Sequence, residues 1–205
     1  VTHILFDAYA SIAWQPALLI FLLAFLDPER LRRLMTASAI TLAVTVVVFF
    51  LVPALGPYHY FKLGRDAFPD VANISPWTVP PLIEALRAGS HKIAFDGLVT
   101  FPSYHAATSI LFAFGWVGVP FIGVPLIVLN MVMLVSTVPI GSHYVIDVIA
   151  GVAVALASLR LANMYFSASD RLPPLETWDR TPEGRRILRF LSRWPVVGTL
   201  LRRPN

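Results

Sequence analysis

The sequence predicts an all-α, polytopic membrane protein: a helix bundle of five spans with an extracytoplasmic loop and an amphipathic C-terminal tail. Of its 205 residues, 57% are hydrophobic and only 14% are charged, whereas a soluble domain is about half apolar and about a quarter charged. The apolar residues form runs, and the longer runs can cross a hydrocarbon core about 30 Å thick. Cysteine is absent, which excludes a disulfide framework and a thiolate metal site.

The first two spans flank a short charged loop. The first runs from Ala8 to Leu26, and Pro16 is tolerable inside it because neighbouring helices can satisfy the carbonyl that proline frees. The charged loop Asp27–Arg33 follows. The second span, Leu34–Leu55, is rich in valine but too long for a strand. No basic residue precedes the first span, so we expect a further span upstream.

The rest of the membrane domain contains one long loop and three apolar runs. Gly56–Pro102 is polar, and we expect it to pack over the spans and serve a site, because structureless loops of this length are uncommon. Ala106–Val117 and Ile122–Val138 are separated only by a short Gly/Pro turn. We interpret them as two spans; a single very long helix is the alternative. Val145–Met164 is the last span.

The chain is therefore divided into a transmembrane domain, residues 1–164, and an Arg-rich tail, residues 165–205. In the tail, apolar residues recur at helical spacing among arginines between Thr181 and Trp194. This pattern is typical of a helix that lies on an anionic membrane face. Packing against the protein's own cytoplasmic side is an equally good interpretation.

The distribution of basic residues orients the five spans. Eleven arginines belong to the side with the tail, against four basic residues on the side with the long loop. Because basic residues are retained in the cytoplasm, the tail is predicted to be cytoplasmic. The long loop would then lie on the extracytoplasmic side of the inner or plasma membrane.

Two stretches on that extracytoplasmic side place a serine and a histidine where a polar loop meets an apolar run. Ser103 precedes His105, and Ser142 precedes His143. Each serine stands at the expected N-cap of the helix that follows, and we expect both to bind phosphate; a role as helix cap alone is the alternative. Helix N-termini offer unpaired N–H groups and a partial positive charge, so two facing ends would bind an anion such as phosphate.

Asp147 follows His143 by four residues, which is one helical turn. Its carboxylate can accept a hydrogen bond from one imidazole nitrogen and leave the other free to attack phosphorus. His105 can protonate the leaving oxygen and then deprotonate an incoming water or alcohol. Three histidines and one aspartate could instead hold a metal, but no H-E-x-x-H pattern is present.

Residues 101–107 (FPSYHAA) and 141–151 (GSHYVIDVIAG) resemble the second and third signature motifs of the type 2 phosphatidic acid phosphatase superfamily. The resemblance implies a six-helix membrane bundle and a metal-independent reaction without a cofactor. By the same resemblance His143 would be the nucleophile, Asp147 its orienting partner and His105 the general acid. The partners would be the bilayer and a membrane lipid phosphate, with no nucleic acid and no particular oligomeric state implied.

Two motifs depart from the phosphatase branch of that superfamily. The first motif, K-x6-R-P, is not found, and Ser136-Thr137 stands where the third motif has Ser-Arg. The chain is in this respect similar to the inositol phosphorylceramide synthase branch, which transfers a phospho-headgroup between lipids. Replacement cations for the phosphate would come from the long loop; the candidates, each of which is more often a solvated surface charge, are Lys92, Arg87 and Arg65.

The sequence therefore predicts an integral membrane enzyme that cleaves or transfers the phospho-group of a lipid phosphate through a phosphohistidine. Water as the acceptor would make it a phosphatase, and a lipid or polyol hydroxyl would make it an inositolphosphotransferase-like enzyme. A non-catalytic transporter or scaffold on the same fold and a metal-dependent membrane hydrolase are the alternatives.

Overall fold

A computed structural model of the chain describes residues 2–52, 54, 56–64, 84, 88–89, 101–169, 182 and 185–186. The chain divides into two compact units, Val1–Asn163 and Met164–Asn205. Most of the long loop, including Lys92, Arg87 and Arg65, lies outside the described residues, as does most of the predicted tail helix. The roles assigned to the membrane domain and the tail remain predictions.

The described residues are helical, with no strand among them. The helices, in chain order, are α1 (Thr2–Ala10), a 3₁₀ turn (Ser11–Ala13), α2 (Gln15–Leu26), α3 (Pro28–Leu51), α4 (Pro57–Tyr60), α5 (Tyr104–Trp116), α6 (Gly123–Ser136) and α7 (Val145–Ser169).

Two helices, α3 and α7, are long and apolar enough to cross a membrane, and α1 with α2 makes a third span if the bent pair is counted as one. The bend between them is 54°. The predicted break between the third and fourth apolar runs is present, because α5 ends at Trp116 and α6 begins at Gly123. The described helices fit an all-helical membrane protein with two long spans, or three if the bent pair counts as one. The number five remains a prediction.

The bend in the first span is held by buried polar side chains. Gln15, at the start of α2, accepts hydrogen bonds from Asn130 Nδ2 (2.8 Å) and Trp116 Nε1 (3.2 Å). Its own Nε2 donates to Ser11 Oγ at 2.8 Å. Since unpaired polar groups are costly inside an apolar bundle, these bonds fasten the bend to both α5 and α6.

The apolar core lies where α2, α3, α5, α6 and α7 meet. Its buried side chains include Leu19, Leu23, Leu34, Leu111, Trp116, Met133 and Ala155. Many large apolar side chains instead face outward; Phe50 is 84% exposed and Phe25 is 77% exposed. Such an outward apolar surface fits a protein whose solvent is lipid.

The charged residues Asp27–Arg33 do not form the predicted loop: Asp27 is the N-cap of α3 and the others are its first turns. This start of α3 lies beside the turn after α5. Asp27 caps α3 by accepting a hydrogen bond from the Arg30 backbone N–H at 3.0 Å. The Arg30 guanidinium donates to the carbonyl of Val117. The start of α3 and the turn after α5 therefore share an end of the bundle, as the alternation of spans predicts. The Ser/His junction at the start of α5 lies at the other end.

Candidate active site

Ser103 caps α5, as the sequence predicts. Its side chain is fully buried and its Oγ accepts a hydrogen bond from the Ala106 backbone N–H at 3.3 Å. His105 is the second residue of the helix. The remaining N–H groups of this first turn, together with the helix dipole, give the junction a partial positive charge.

The second junction is built differently, and the expectation that Ser142 caps the last helix is wrong. α7 begins at Val145, and Ser142 lies three residues earlier in a turn with φ 54°. The physical reason is that Asp147 takes the capping role: its Oδ2 accepts a hydrogen bond from the Tyr144 backbone N–H at 2.9 Å. A carboxylate that reaches back from the first turn in this way is half of a capping box.

Direct backbone contacts join the two junctions. The backbone N–H of Ser103 donates to the carbonyl of Asp147 at 3.0 Å. A Cβ added at Gly151 would lie only 2.3 Å from the Ser103 carbonyl oxygen. The glycine therefore allows α7 to approach the start of α5 closely, and the structure brings both Ser/His junctions into one composite site.

The start of the long loop closes over the second junction. The Tyr58 backbone N–H donates to Ser142 Oγ at 3.3 Å, and the Tyr58 hydroxyl donates to the carbonyl of Pro139. A Cβ at Gly56 would lie 2.5 Å from the Ser142 carbonyl oxygen. Burial raises the pKa of the Tyr58 hydroxyl, so this group stays protonated and remains a donor.

His143 and Asp147 form a buried pair. His143 Nδ1 lies 3.5 Å from Asp147 Oδ2, and the two side chains are 5% and 4% exposed. Within the described part of the chain Nδ1 makes no hydrogen bond. If Nδ1 and Oδ2 moved a few tenths of an ångström closer, they would form a hydrogen bond. Hydrogen bonds of catalytic pairs often shorten in this way once substrate binds. Because Nδ1 faces the carboxylate, Nε2 is the nitrogen left for chemistry.

His105 is held by an aromatic ring. Its imidazole stacks on the ring of Tyr9 with a centroid distance of 3.9 Å and an interplanar angle of 9°. Gly141 lies between Tyr9 and the other histidine, since a Cβ there would be 3.0 Å from Tyr9 Cε2 and 2.8 Å from His143 Cδ2.

The sequence also matches a known protein family. A model of the PAP2 superfamily matches residues 1–161. The chain belongs to the PAP2 superfamily. No curated protein and no solved structure matches the chain.

Membership in the PAP2 superfamily indicates a phosphatase or phosphotransferase type of activity. The apolar helices fit a membrane protein of that superfamily. Among the residues that the structure describes, no group of His, Cys, Asp or Glu is arranged to hold a metal ion. The three predicted loop cations, Lys92, Arg87 and Arg65, fall outside those residues, so their part in this PAP2 site stays a prediction.

Sequence reasoning missed two residues that contact the candidate site. Tyr9 belongs to the first apolar run, where an aromatic residue is unremarkable, and no local pattern connects it to His105, 96 positions later (105 − 9). Tyr58 follows the Gly-Pro pair at the start of the long loop, which could have drawn attention to it. Its contacts with the second junction join segments that are far apart in the sequence, so no local motif predicts them.

Proposed function

We propose that this PAP2 protein is an integral membrane enzyme that cleaves or transfers the phospho-group of a lipid phosphate through a phosphohistidine. The observation that carries the proposal is the meeting of His105, His143 and Asp147 at one composite site. The three side chains lie beside a helix N-terminus, with His143 and Asp147 buried and His105 partly buried. They supply a nucleophile, a carboxylate that orients it and a second acid–base group. No cofactor or metal is needed for this chemistry.

In the first step, His143 Nε2 attacks phosphorus and the bond to the lipid oxygen breaks. His105 gives its proton to that leaving oxygen. The imidazole becomes positively charged as the phosphorus–nitrogen bond forms, and the adjacent Asp147 carboxylate stabilises this charge. The products of this step are a lipid alcohol and a phosphorylated His143.

In the second step, His105 accepts a proton from water or from an alcohol, and the resulting oxygen attacks the phosphohistidine. His143 leaves as neutral imidazole. Water would give inorganic phosphate when the transferred group is a simple phosphate, whereas a lipid hydroxyl would give a new phospholipid. The inositolphosphotransferase-like branch remains our preferred proposal because the usual phosphatase cations are missing from their places in the motifs.

Phosphate binding is assigned to the α5 N-terminus and to the two serines. The oxygens of Ser103 and Ser142 each accept a hydrogen bond from a backbone N–H, which leaves their hydroxyl hydrogens to be donated to a phosphate oxygen. Lys92, Arg87 and Arg65 are proposed to add positive charge from the long loop. We place this site on the extracytoplasmic side and the tail in the cytoplasm, following the distribution of arginines.

The test is a lipid-resolved product assay on the purified protein. Phosphatidic acid, a polyprenyl diphosphate and an inositol phospholipid are supplied with and without diacylglycerol or ceramide as acceptor, and both phosphate and new lipids are measured. His143→Ala should abolish turnover, whereas the exposed His59, changed to alanine, serves as the matched control. Activity should persist in EDTA and be blocked by vanadate.

Full turnover by folded His143→Ala protein would refute the nucleophile. Loss of activity in EDTA that is restored by a divalent cation would favour a metal-dependent hydrolase instead. Absence of turnover on every lipid phosphate and acceptor pair, with the fold intact, would favour a non-catalytic transporter or scaffold.

A further inference from the structure

We propose that Tyr9 is a positioning residue that fixes the plane of the His105 imidazole for proton transfer. The inference rests on the proposed function and assigns a role to a side chain from the first helix. Tyr9 need not touch the substrate, because it acts through His105.

The geometry of the stack fits this role. The two rings are nearly parallel, with an interplanar angle of 9° and centroids 3.9 Å apart. A histidine exchanges protons at its ring nitrogens, which lie in the plane of the ring. Tyr9 covers one face of the ring and leaves that edge uncovered, so it restricts tilting of the imidazole without taking either nitrogen.

Among the described residues, the imidazole of His105 makes no hydrogen bond that would orient it. The side chains of Thr108 and Ser109 donate hydrogen bonds to the backbone carbonyl of His105, not to its ring. By contrast, Nδ1 of His143 faces the Asp147 carboxylate. The two histidines are thus oriented by different groups. The Asp147 carboxylate orients the proposed nucleophile, His143, and the Tyr9 ring orients the proposed acid–base group, His105.

Tyr9 is itself held in place. Together with Leu5 it packs on the buried side chain of Ile140, in a small apolar cluster separate from the main core. Gly141 allows the chain to pass directly beside the tyrosine ring, because a Cβ there would already be 3.0 Å from Tyr9 Cε2. The ring is therefore confined from the side of Ile140 and Gly141 as well as by the imidazole.

The experiment is a double-mutant cycle on the full chain in detergent or liposomes. Tyr9→Phe keeps the ring and should retain turnover close to that of the wild type. Tyr9→Leu removes the stack and should lower kcat by about 10- to 100-fold on a lipid phosphate, the range expected when a catalytic group is misplaced. KM should change little, because substrate binding does not use the stack.

Two readouts separate positioning from a merely structural role. An aryl phosphate with an activated leaving group needs little protonation, so Tyr9→Leu should impair its cleavage much less than that of a lipid phosphate. Once His105→Ala has removed the acid, adding Tyr9→Leu should have no further effect on kcat. Leu5→Ala is the matched control, because Leu5 packs on the same Ile140 cluster and should leave the leaving-group dependence unchanged.

Several results would overturn the inference. Additive losses in the double variant would show that Tyr9 acts independently of His105, and equal losses in Tyr9→Phe and Tyr9→Leu would assign the effect to the hydroxyl. If Tyr9→Leu does not fold, Tyr9→Met, which retains a flexible apolar side chain, takes its place under the same criteria. Full turnover by His105→Ala would refute the proposed general acid itself, and this outcome is distinguishable because it does not involve Tyr9.

Discussion

The structure leaves no room for a side chain at Gly151, where α7 meets the start of α5. A Cβ there would lie 2.3 Å from the carbonyl oxygen of Ser103, whereas ordinary van der Waals contact begins at 3.4 Å. In Gly151→Ala the two backbones must therefore separate by roughly 1 Å, the difference between these distances. The Ser103 carbonyl is backbone and cannot rotate away as a side chain would.

The expected cost appears in both activity and stability. A displacement of about 1 Å between catalytic groups can lower turnover about 100-fold, and overpacking of this kind costs about 1–3 kcal/mol. In an unobstructed helix, by contrast, replacement of glycine by alanine stabilises by about 0.5–1 kcal/mol. A lower melting temperature of Gly151→Ala would therefore indicate a steric clash with α5, and a higher one would indicate open space at this position.

The assay measures kcat on a lipid phosphate and the melting temperature in detergent for Gly151→Ala. Gly64→Ala is the matched control, because a Cβ at Gly64 meets nothing within 4 Å. Unchanged turnover with a higher melting temperature in Gly151→Ala would refute the close approach of the two junctions. A loss confined to turnover would show that the helices separate without weakening the bundle.

Three further predictions concern other parts of the molecule. Asp147→Asn should lower kcat about 100-fold or more but barely change the melting temperature, because the amide oxygen can still accept from the Tyr144 N–H; equal activity would refute the orienting role. Gln15→Leu should destabilise the bundle by about 1–3 kcal/mol in thermal unfolding, since it leaves buried donors unpaired; unchanged stability would contradict the network. In this cysteine-free chain, Tyr60→Cys should react with an impermeant thiol reagent from outside intact cells, and Phe121→Cys only after permeabilisation; the reverse pattern would invert the proposed orientation.

The sequence anticipated the features that local patterns control. A serine before an apolar run predicts a helix cap, and Ser103 forms one. Alternation of the apolar runs predicts that the two junctions share an end of the bundle, and the contact between Ser103 and Asp147 places them together. Both inferences need only the order and polarity of neighbouring segments.

Features that depend on packing between distant segments were not predictable in the same way. Ser142 and Asp147 both qualify as capping groups by residue type, and the choice between them depends on where α7 begins. The stacking of Tyr9 on His105 depends on how α1 is placed, which the bend before Gln15 decides. Hydropathy predicted the break between α5 and α6, but it does not determine whether helices of 13 and 14 residues cross the membrane.

The hydrogen bonds of Gln15 have a consequence for the biogenesis of the protein. Its partners Trp116 and Asn130 are 101 and 115 residues further along the chain, so a ribosome delivers them long after the first helices have entered the bilayer. Until then the Gln15 amide lacks these two partners, and α1 with α2 is a helix pair without its final restraint. We therefore expect the bend and the position of Tyr9 to become fixed late in synthesis, after α5 and α6 have been made.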